Sequence, residues 1–299
     1  MKTHDREKMF FMSKIAVVTD SNAGIHVCEN IPDLFIVPMP FTIDGDEYFE
    51  DINLSVEEFY IAQDSDKRIS TSQPSPGDLV ELWQKILESY DEIVYIPMSS
   101  GLSKSFDTAR MLSSDFGGKV QVVDAKRISV TQRQAVLEAL QLAKKGLAAN
   151  EIRELIEKHA LDASIYIMVD TLKHLKRGGR ITPVVAAFGT LLHVKPILTI
   201  QGDKLDSCAK VMNLNQAKKK MIDSIRKDIE YRFLDDYKNK NLVLNVAHTR
   251  CEQKAIEFAA EVKQAFPDVE FGVIQELSLS VACHIGRGSL AVTVSKKLV

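Results

Sequence analysis

Several features that announce common functions are missing from this chain. Its four cysteines, Cys28, Cys208, Cys251 and Cys283, form no Cys-x-x-Cys pair. That argues against a zinc ribbon or a disulfide scaffold and reads as free thiols in a reducing compartment. There is no G-x-x-x-x-G-K-[ST], no G-x-G-x-x-G after a strand and no H-E-x-x-H, so nucleotide phosphate cradles and zinc hydrolase sites have no support. The seven histidines do not fall at helical metal-ligand spacing, and no metal is expected. Neither sign of charge dominates: 38 lysines and arginines face 41 aspartates and glutamates, a formal net charge of -3, which argues against a nucleic-acid partner. The apolar piece Met9-Phe10-Phe11-Met12 is too short to span a bilayer and lacks a signal-peptide cleavage pattern. Met12 stands as an alternative start, and the compartment is read as cytoplasmic.

What is present is an alternation of strand and helix. Ile15–Thr19 and Leu34–Met39 read as buried strands, and Phe41–Tyr48 as a hairpin around Asp44-Gly45. Ser75, Pro76 and Asp78 open a helix that carries Leu79, Trp83, Ile86, Leu87 and Tyr90 on one face. The polar residues Thr71, Ser72 and Gln73 before it read as loop. Strands follow at Ile93–Ile96 and Lys119–Val123, then helices from Ser129 to Gly146 and Asn150 to His159. Such alternation predicts a parallel sheet covered by helices on both faces. The second half reads as strands at Ser164–Val169, Val194–Ile200, Leu242–Ala247, Val269–Glu276 and Leu290–Ser295, and helices at Pro183–Leu192, Leu214–Lys238 and Glu252–Phe266. The expected fold is therefore α/β in two domains: residues 1–160 around a parallel sheet, and residues 161–299 around a mixed sheet. Among 299 residues there is ample material for both cores.

The chemistry concentrates where the Ile93–Ile96 strand runs into Ser99-Ser100-Gly101-Leu102-Ser103. A strand, a tight turn and a helix start leave backbone N–H groups unpaired, with the positive end of the helix dipole outward. Hydroxyls of Ser99, Ser100 and Ser103, and a glycine that admits close approach, suit a small anionic head group. Two further elements carry polar groups. Arg177-Gly178-Gly179-Arg180 offers two planar cations, and Cys283-His284-Ile285-Gly286 sets one imidazole in what reads as a loop. A serine hydrolase is the rival reading, with Ser100 as nucleophile, His284 as base and Asp20 or Asp124 as orienter. The G-x-S-x-G elbow is absent.

Taken together, Val18-Thr19-Asp20-Ser21, Thr71-Ser72-Gln73-Pro74, Ser99-Ser100-Gly101-Leu102-Ser103, Asp124, Leu175–Arg180, Lys195–Leu198 and His284 resemble the DegV family in order and spacing. These are bacterial fatty-acid-binding proteins that serve as the acyl-carrying component of fatty acid kinase. The resemblance implies a two-domain α/β protein, not itself an enzyme, with no cofactor and one long-chain fatty acid in a buried tunnel. It implies that Thr71, Ser100, Gly101 and His284 hold the carboxylate, and that Arg177, with Arg180, serves docking or transfer to the kinase. That partner, related to dihydroxyacetone kinases, makes the acyl phosphate, and transient membrane contact allows acyl exchange. A lipid-sensing regulator would need the same pocket. The chain departs from the family pattern at Lys104-Ser105, Ala125 and Arg287, where Gly-Thr, serine and proline are usual.

Overall fold

In the computed structural model, residues 13–50, 52–65, 67–186 and 194–299 are described. The Met9–Met12 segment, the alternative start at Met12 and the end of the helix expected from Pro183 lie outside them.

Short 3-10 turns apart, the first half runs β1 (Ile15–Asp20), β2 (Leu34–Val37), β3 (Pro40–Ile43), β4 (Asp46–Phe49), α1 (Val56–Asp64), β5 (Ile69–Thr71), α2 (Pro76–Ile86), β6 (Glu92–Ile96), α3 (Ser105–Ser113), β7 (Val120–Val122), α4 (Ser129–Lys144) and α5 (Ala149–Lys158). Strands β2, β1, β6 and β7 pair in that order, all parallel. Their apolar runs do not alternate with polar residues because both faces are covered. Ile15, Val17, Val94 and Ile96 pack into the core with residues of α4 and α5. Ala16, Val18, Ile93 and Tyr95 pack on the other face, where Trp83 of α2 is fully buried. Helix α2 begins as its sequence demands, with Ser75 as N-cap and Pro76 in the first turn.

The Asp44-Gly45 turn joins β3 to β4, with φ of 52° and 109° at the two residues. Positive φ at both positions matches the right-handed twist of the arms, and Asp-Gly tolerates it. Here the structure adds something the sequence reading missed. Ile69–Thr71 is a strand rather than part of a polar loop, and it pairs antiparallel with β3 so that Phe41 faces Thr71. Three residues are too few for an alternation to show, and only the partner strand defines them.

The second half runs β8 (Ala163–Met168), α6 (Lys173–Gly178), α7 (Pro183–Ala186), β9 (Lys195–Ile200), β10 (Asp206–Val211), α8 (Leu214–Tyr231), α9 (Leu234–Lys238), β11 (Leu242–His248), α10 (Glu252–Ala265), β12 (Glu270–Glu276), α11 (Leu279–Ile285) and β13 (Leu290–Lys296). The six-stranded order is β10-β9-β8-β13-β11-β12, antiparallel except for the parallel pair β11 and β12. The architecture is thus α/β, with one parallel and one mixed sheet. Among the described residues, no sheet draws strands from both sides of residue 160.

Three further differences from the sequence reading have local causes. Strand β10 went unseen because Asp206–Val211 is a half-exposed edge strand with no clean alternation. The helix expected to run unbroken to Lys238 stops at Tyr231, because burying Phe233 in the core takes the chain off the helix line. His284 sits in the last turn of α11, not in a loop. Seven residues are too short for a helical period to be read.

One face of the mixed sheet, with Tyr166, Met168, Leu244 and Val292, is buried together with residues of α8 and α10. The opposite face, with Ile165, Ile167, Ala247 and Ala291, packs with Leu102 and Ile128 of the first half. The seam between the halves is therefore apolar, and it is where the cavity lies.

Candidate functional site

About 100 Å³ is open to the centres of water-sized spheres in this seam. A single water needs only about 10–15 Å³ by the same measure, so the void is several times larger than a hydration site. Apolar side chains from both halves form much of its wall, including Met98, Leu102, Ile165, Leu175, Ile200 and Ala291. Thr71, Ser103, Arg180 and His284 also line it.

Thr71 reaches the cavity because β5 ends there, and its Oγ1 lies 2.9 Å from His284 Nε2. His284 approaches because α6 and α11 pack unusually close. A side-chain carbon on Gly178 would collide with the His284 ring, and one on Gly286 would stand 2.9 Å from His174 Cδ2. The first glycine of the Arg177–Arg180 motif is thus a spacing residue. Arg180 folds back from the same turn, its Nε donating to the Leu102 carbonyl at 3.4 Å and its Nη1 to the Gly178 carbonyl.

The serine turn is built differently from the sequence reading. Its amides are already satisfied internally: Ser100 N–H donates to Asp124 Oδ1 at 3.3 Å, Gly101 N–H to Ser99 Oγ at 3.2 Å, and the N–H groups of Leu102 and Ser103 to the Ser99 carbonyl. The Ser100 hydroxyl donates to Asp124 Oδ2 at 2.6 Å and accepts from Lys126 Nζ at 2.7 Å. Ser100 and Gly101 do not line the cavity. Gly101 instead abuts the Gly202-Asp203 turn, where a side chain would have no room. The parallel sheet is the cause, because Asp124 follows β7 next to β6 and so arrives beside the turn. Ser103 is the serine that faces the cavity, and its Oγ also accepts from Ser105 N–H at 3.1 Å at the start of α3.

A buried polar network supports one wall. Asp20 accepts from the Met98 amide at 2.8 Å, from Asn22 Nδ2 at 2.9 Å and from Gln132 Nε2 at 3.1 Å. Complete burial still raises its pKa above the usual carboxylate range. Asn22 Oδ1 in turn accepts from the Ser280 hydroxyl, and both residues line the cavity. Neither Asn22 nor Ser280 stood out as a site residue: Asn22 only follows the Val18-Thr19-Asp20-Ser21 motif, and Ser280 is a single small polar residue in a stretch without one. The hydrolase arrangement is not formed: His284 is bonded to Thr71, Ser100 to Asp124 and Lys126, and Asp20 to this network. Among the described residues, no three histidines, cysteines or carboxylates cluster as metal ligands, and no helix is long and apolar enough to cross a membrane.

Burial, and then the positive Arg180 and His174, push the His284 imidazole down to about 4. It is neutral at pH 7 and able to donate or accept one hydrogen bond. An unfolded imidazole titrates near 6.5. Between these values the unfolded chain binds a proton that the folded chain does not, so stability falls as pH falls through this window. We expect His284 to cost about 1.5 kcal/mol between pH 6.5 and 5. His174 and His248, also lowered chiefly by burial, act in the same direction. Urea midpoints of the chain and of His284→Gln over this range test it, and equal slopes would refute the assignment.

The site can also be set beside known proteins. The family model described as "Uncharacterised protein, DegV family" matches residues 14–297. Protein DegV of Bacillus subtilis is 32% identical over 285 residues, covering 93% of this chain and 98% of that protein. Two solved structures share the architecture. One, described as fatty acid binding of a DegV family protein from Thermus thermophilus, has a TM-score of 0.85 and 26% identity over 95% of this chain and 99% of that one. The other is DegV of Bacillus subtilis, described as a fatty acid binding protein, with a TM-score of 0.80 and 29% identity over 95% and 100%. A match this long, across both sheets and the turns that build the cavity, has one meaning: the chain belongs to the DegV family.

Proposed function

We propose that this chain binds one long-chain fatty acid, its tail in the cavity between the two halves and its carboxylate at Thr71, Ser103 and His284. It then presents that carboxylate to a separate ATP-dependent kinase, which forms the acyl phosphate. The observation that carries the reading is the apolar cavity with hydroxyls, an imidazole and a guanidinium on its wall. The fatty-acid-binding descriptions of its solved relatives agree with it.

The energetics are sufficient. An acyl chain of about 16 carbons gains about 0.8 kcal/mol per buried methylene, on the order of 11 kcal/mol before association costs. A carboxylate, with an ordinary pKa of about 4 to 5, enters ionised at pH 7, and burying it without partners costs several kcal/mol. Thr71 and Ser103 hydroxyls can donate to it, neutral His284 can donate one N–H, and Arg180 supplies positive charge. Ser100 and Gly101, first expected to touch the acid, take a supporting part by holding the turn to Asp124, Lys126 and the Gly202-Asp203 turn. In this reading residues 1–160 and 161–299 act as two domains that close over the chain. The protein is a cytoplasmic carrier without cofactor or catalytic residue of its own, Arg177 faces the kinase, and acyl exchange occurs in transient membrane contact.

Protein purified from a bacterial host is expected to release one fatty acid on denaturing extraction, identified by mass spectrometry. The delipidated chain is expected to take up labelled palmitate or oleate at micromolar concentration. A delipidated, folded sample that takes up neither overturns the reading.

A further inference from the structure

Two hydroxyls at the cavity are left without a partner. Ser129 and Thr293 both line it and are 6% and 1% exposed. Among the described residues, neither Ser129 Oγ nor Thr293 Oγ1 finds a hydrogen bond. Thr71, Ser103 and Asn22, also on the wall, are each engaged: Thr71 with His284, Ser103 with Ser105, and Asn22 with Asp20 and Ser280.

The fold itself does not use these two hydroxyls. Ser129 opens α4, but the capping contacts there come from Thr131, whose Oγ1 donates to the Ile128 carbonyl at 2.8 Å and accepts from the Ile128 N–H at 3.4 Å. Thr293 lies within β13, between Asn245 of β11 and Ile165 of β8, two residues after Ala291 and so on the same face of the strand. Valine has the same shape and would close an apolar wall there without leaving a buried hydroxyl unpaired, which is a costly state. The two groups come from opposite halves and reach one cavity because α4 packs against β13. Just past that strand, Leu298 N–H donates to Glu138 Oε1 of α4 at 2.9 Å.

A plain acyl chain does not account for this pair. Methylenes offer no hydrogen bond, and a tail laid against the wall would cut both hydroxyls off from water. A hydroxyl on the chain does account for it. Such a group donates to one of the two and accepts from the other, so three buried groups are satisfied together.

We propose that Ser129 and Thr293 form an inner subsite for a hydroxyl group carried on the acyl chain, so that the preferred ligand is a hydroxy fatty acid. The inference rests on the fatty-acid reading and narrows it. A site built around a polar group turns away the analogue that lacks it, because the site's own buried groups are then left unpaired.

The test uses the full, delipidated chain with stearate and a series of hydroxystearates whose hydroxyl moves along the chain from near the carboxyl to the terminal carbon. The member whose hydroxyl reaches the pair is expected to bind about fivefold or more tighter than stearate, since two neutral hydrogen bonds contribute on this scale. In Ser129→Ala/Thr293→Val the order is expected to reverse, stearate binding about fivefold tighter than that hydroxystearate, because the chain hydroxyl is now the group buried unpaired. Thr293→Ser, which keeps a donor and an acceptor, is expected to retain the preference. The lipid-free chain gives an independent readout. Removing an unpaired hydroxyl costs the fold nothing, so Thr293→Val should unfold at the same temperature or higher. Stearate binding with no hydroxyl position preferred, or a preference that survives the double substitution, overturns the subsite and leaves the fatty-acid reading standing. A lowered unfolding temperature for Thr293→Val assigns that hydroxyl to holding the fold and also overturns it. Failure of stearate and of the whole series to bind removes the fatty-acid reading itself.

Discussion

Replacing Thr71 with valine and Ser103 with alanine together is expected to weaken fatty-acid binding about a hundredfold or more. In the proposed complex each hydroxyl donates to an ionised carboxylate, and such bonds contribute about 1.5–3 kcal/mol apiece. Two of them correspond to roughly 3 kcal/mol at the lower end, and every 1.4 kcal/mol is about tenfold in affinity. Valine keeps the shape of threonine on β5, so Phe41 and its neighbours should not shift. Alanine at position 103 also removes the cap on Ser105 N–H, a modest cost to α3 of about 1 kcal/mol that a thermal scan registers separately. Displacement of labelled palmitate measures the affinity. Ser100→Ala is the informative comparison, because in this structure its hydroxyl serves Asp124 and Lys126. If Ser100→Ala reproduced the full loss and Ser103→Ala had none, the turn would rearrange on binding and Ser100 would be the contact.

Ala291→Phe is expected to exclude long acyl chains while leaving the fold intact. Ala291 is buried on β13 opposite Ile167 and Ala247, on the sheet face that lines the cavity. A benzyl group there has existing space to occupy, so the overpacking cost should stay within the usual 1–3 kcal/mol. The bound chain has no such alternative. Losing the burial of even four methylenes costs about 3 kcal/mol, again about a hundredfold in affinity. Affinities for a series of acids of rising length should climb with each methylene in the unsubstituted chain and level off early in the variant. A series that climbs equally in both would show that the tail runs elsewhere.

These two experiments bear on different parts of the molecule, and the parts were unequally legible beforehand. The parallel sheet could be read directly, because Ile15–Thr19 and Ile93–Ile96 are apolar on both faces and only a doubly covered sheet makes use of that. The Asp44-Gly45 hairpin and the capped start of α2 were equally plain, since local backbone preference decides them. Arg180 and His284 were picked out as polar groups set among glycines, whereas Thr71 read as loop and became a candidate only through the family resemblance.

What the residues alone determined, then, is everything that depends on short-range periodicity and local backbone chemistry: the α/β class, most strands and helices, and the candidates for the head-group site. Only the tertiary structure decided which candidates meet. It set Thr71 against His284 through a three-residue strand visible only by its pairing, and it turned Ser100 toward Asp124 and Lys126 while leaving Ser103 at the cavity. It also brought Ser129 and Thr293, from opposite halves, to one cavity. The physical reason is that side-chain direction and strand pairing depend on neighbours 24 to 213 residues away in the chain, for which a linear pattern holds no record.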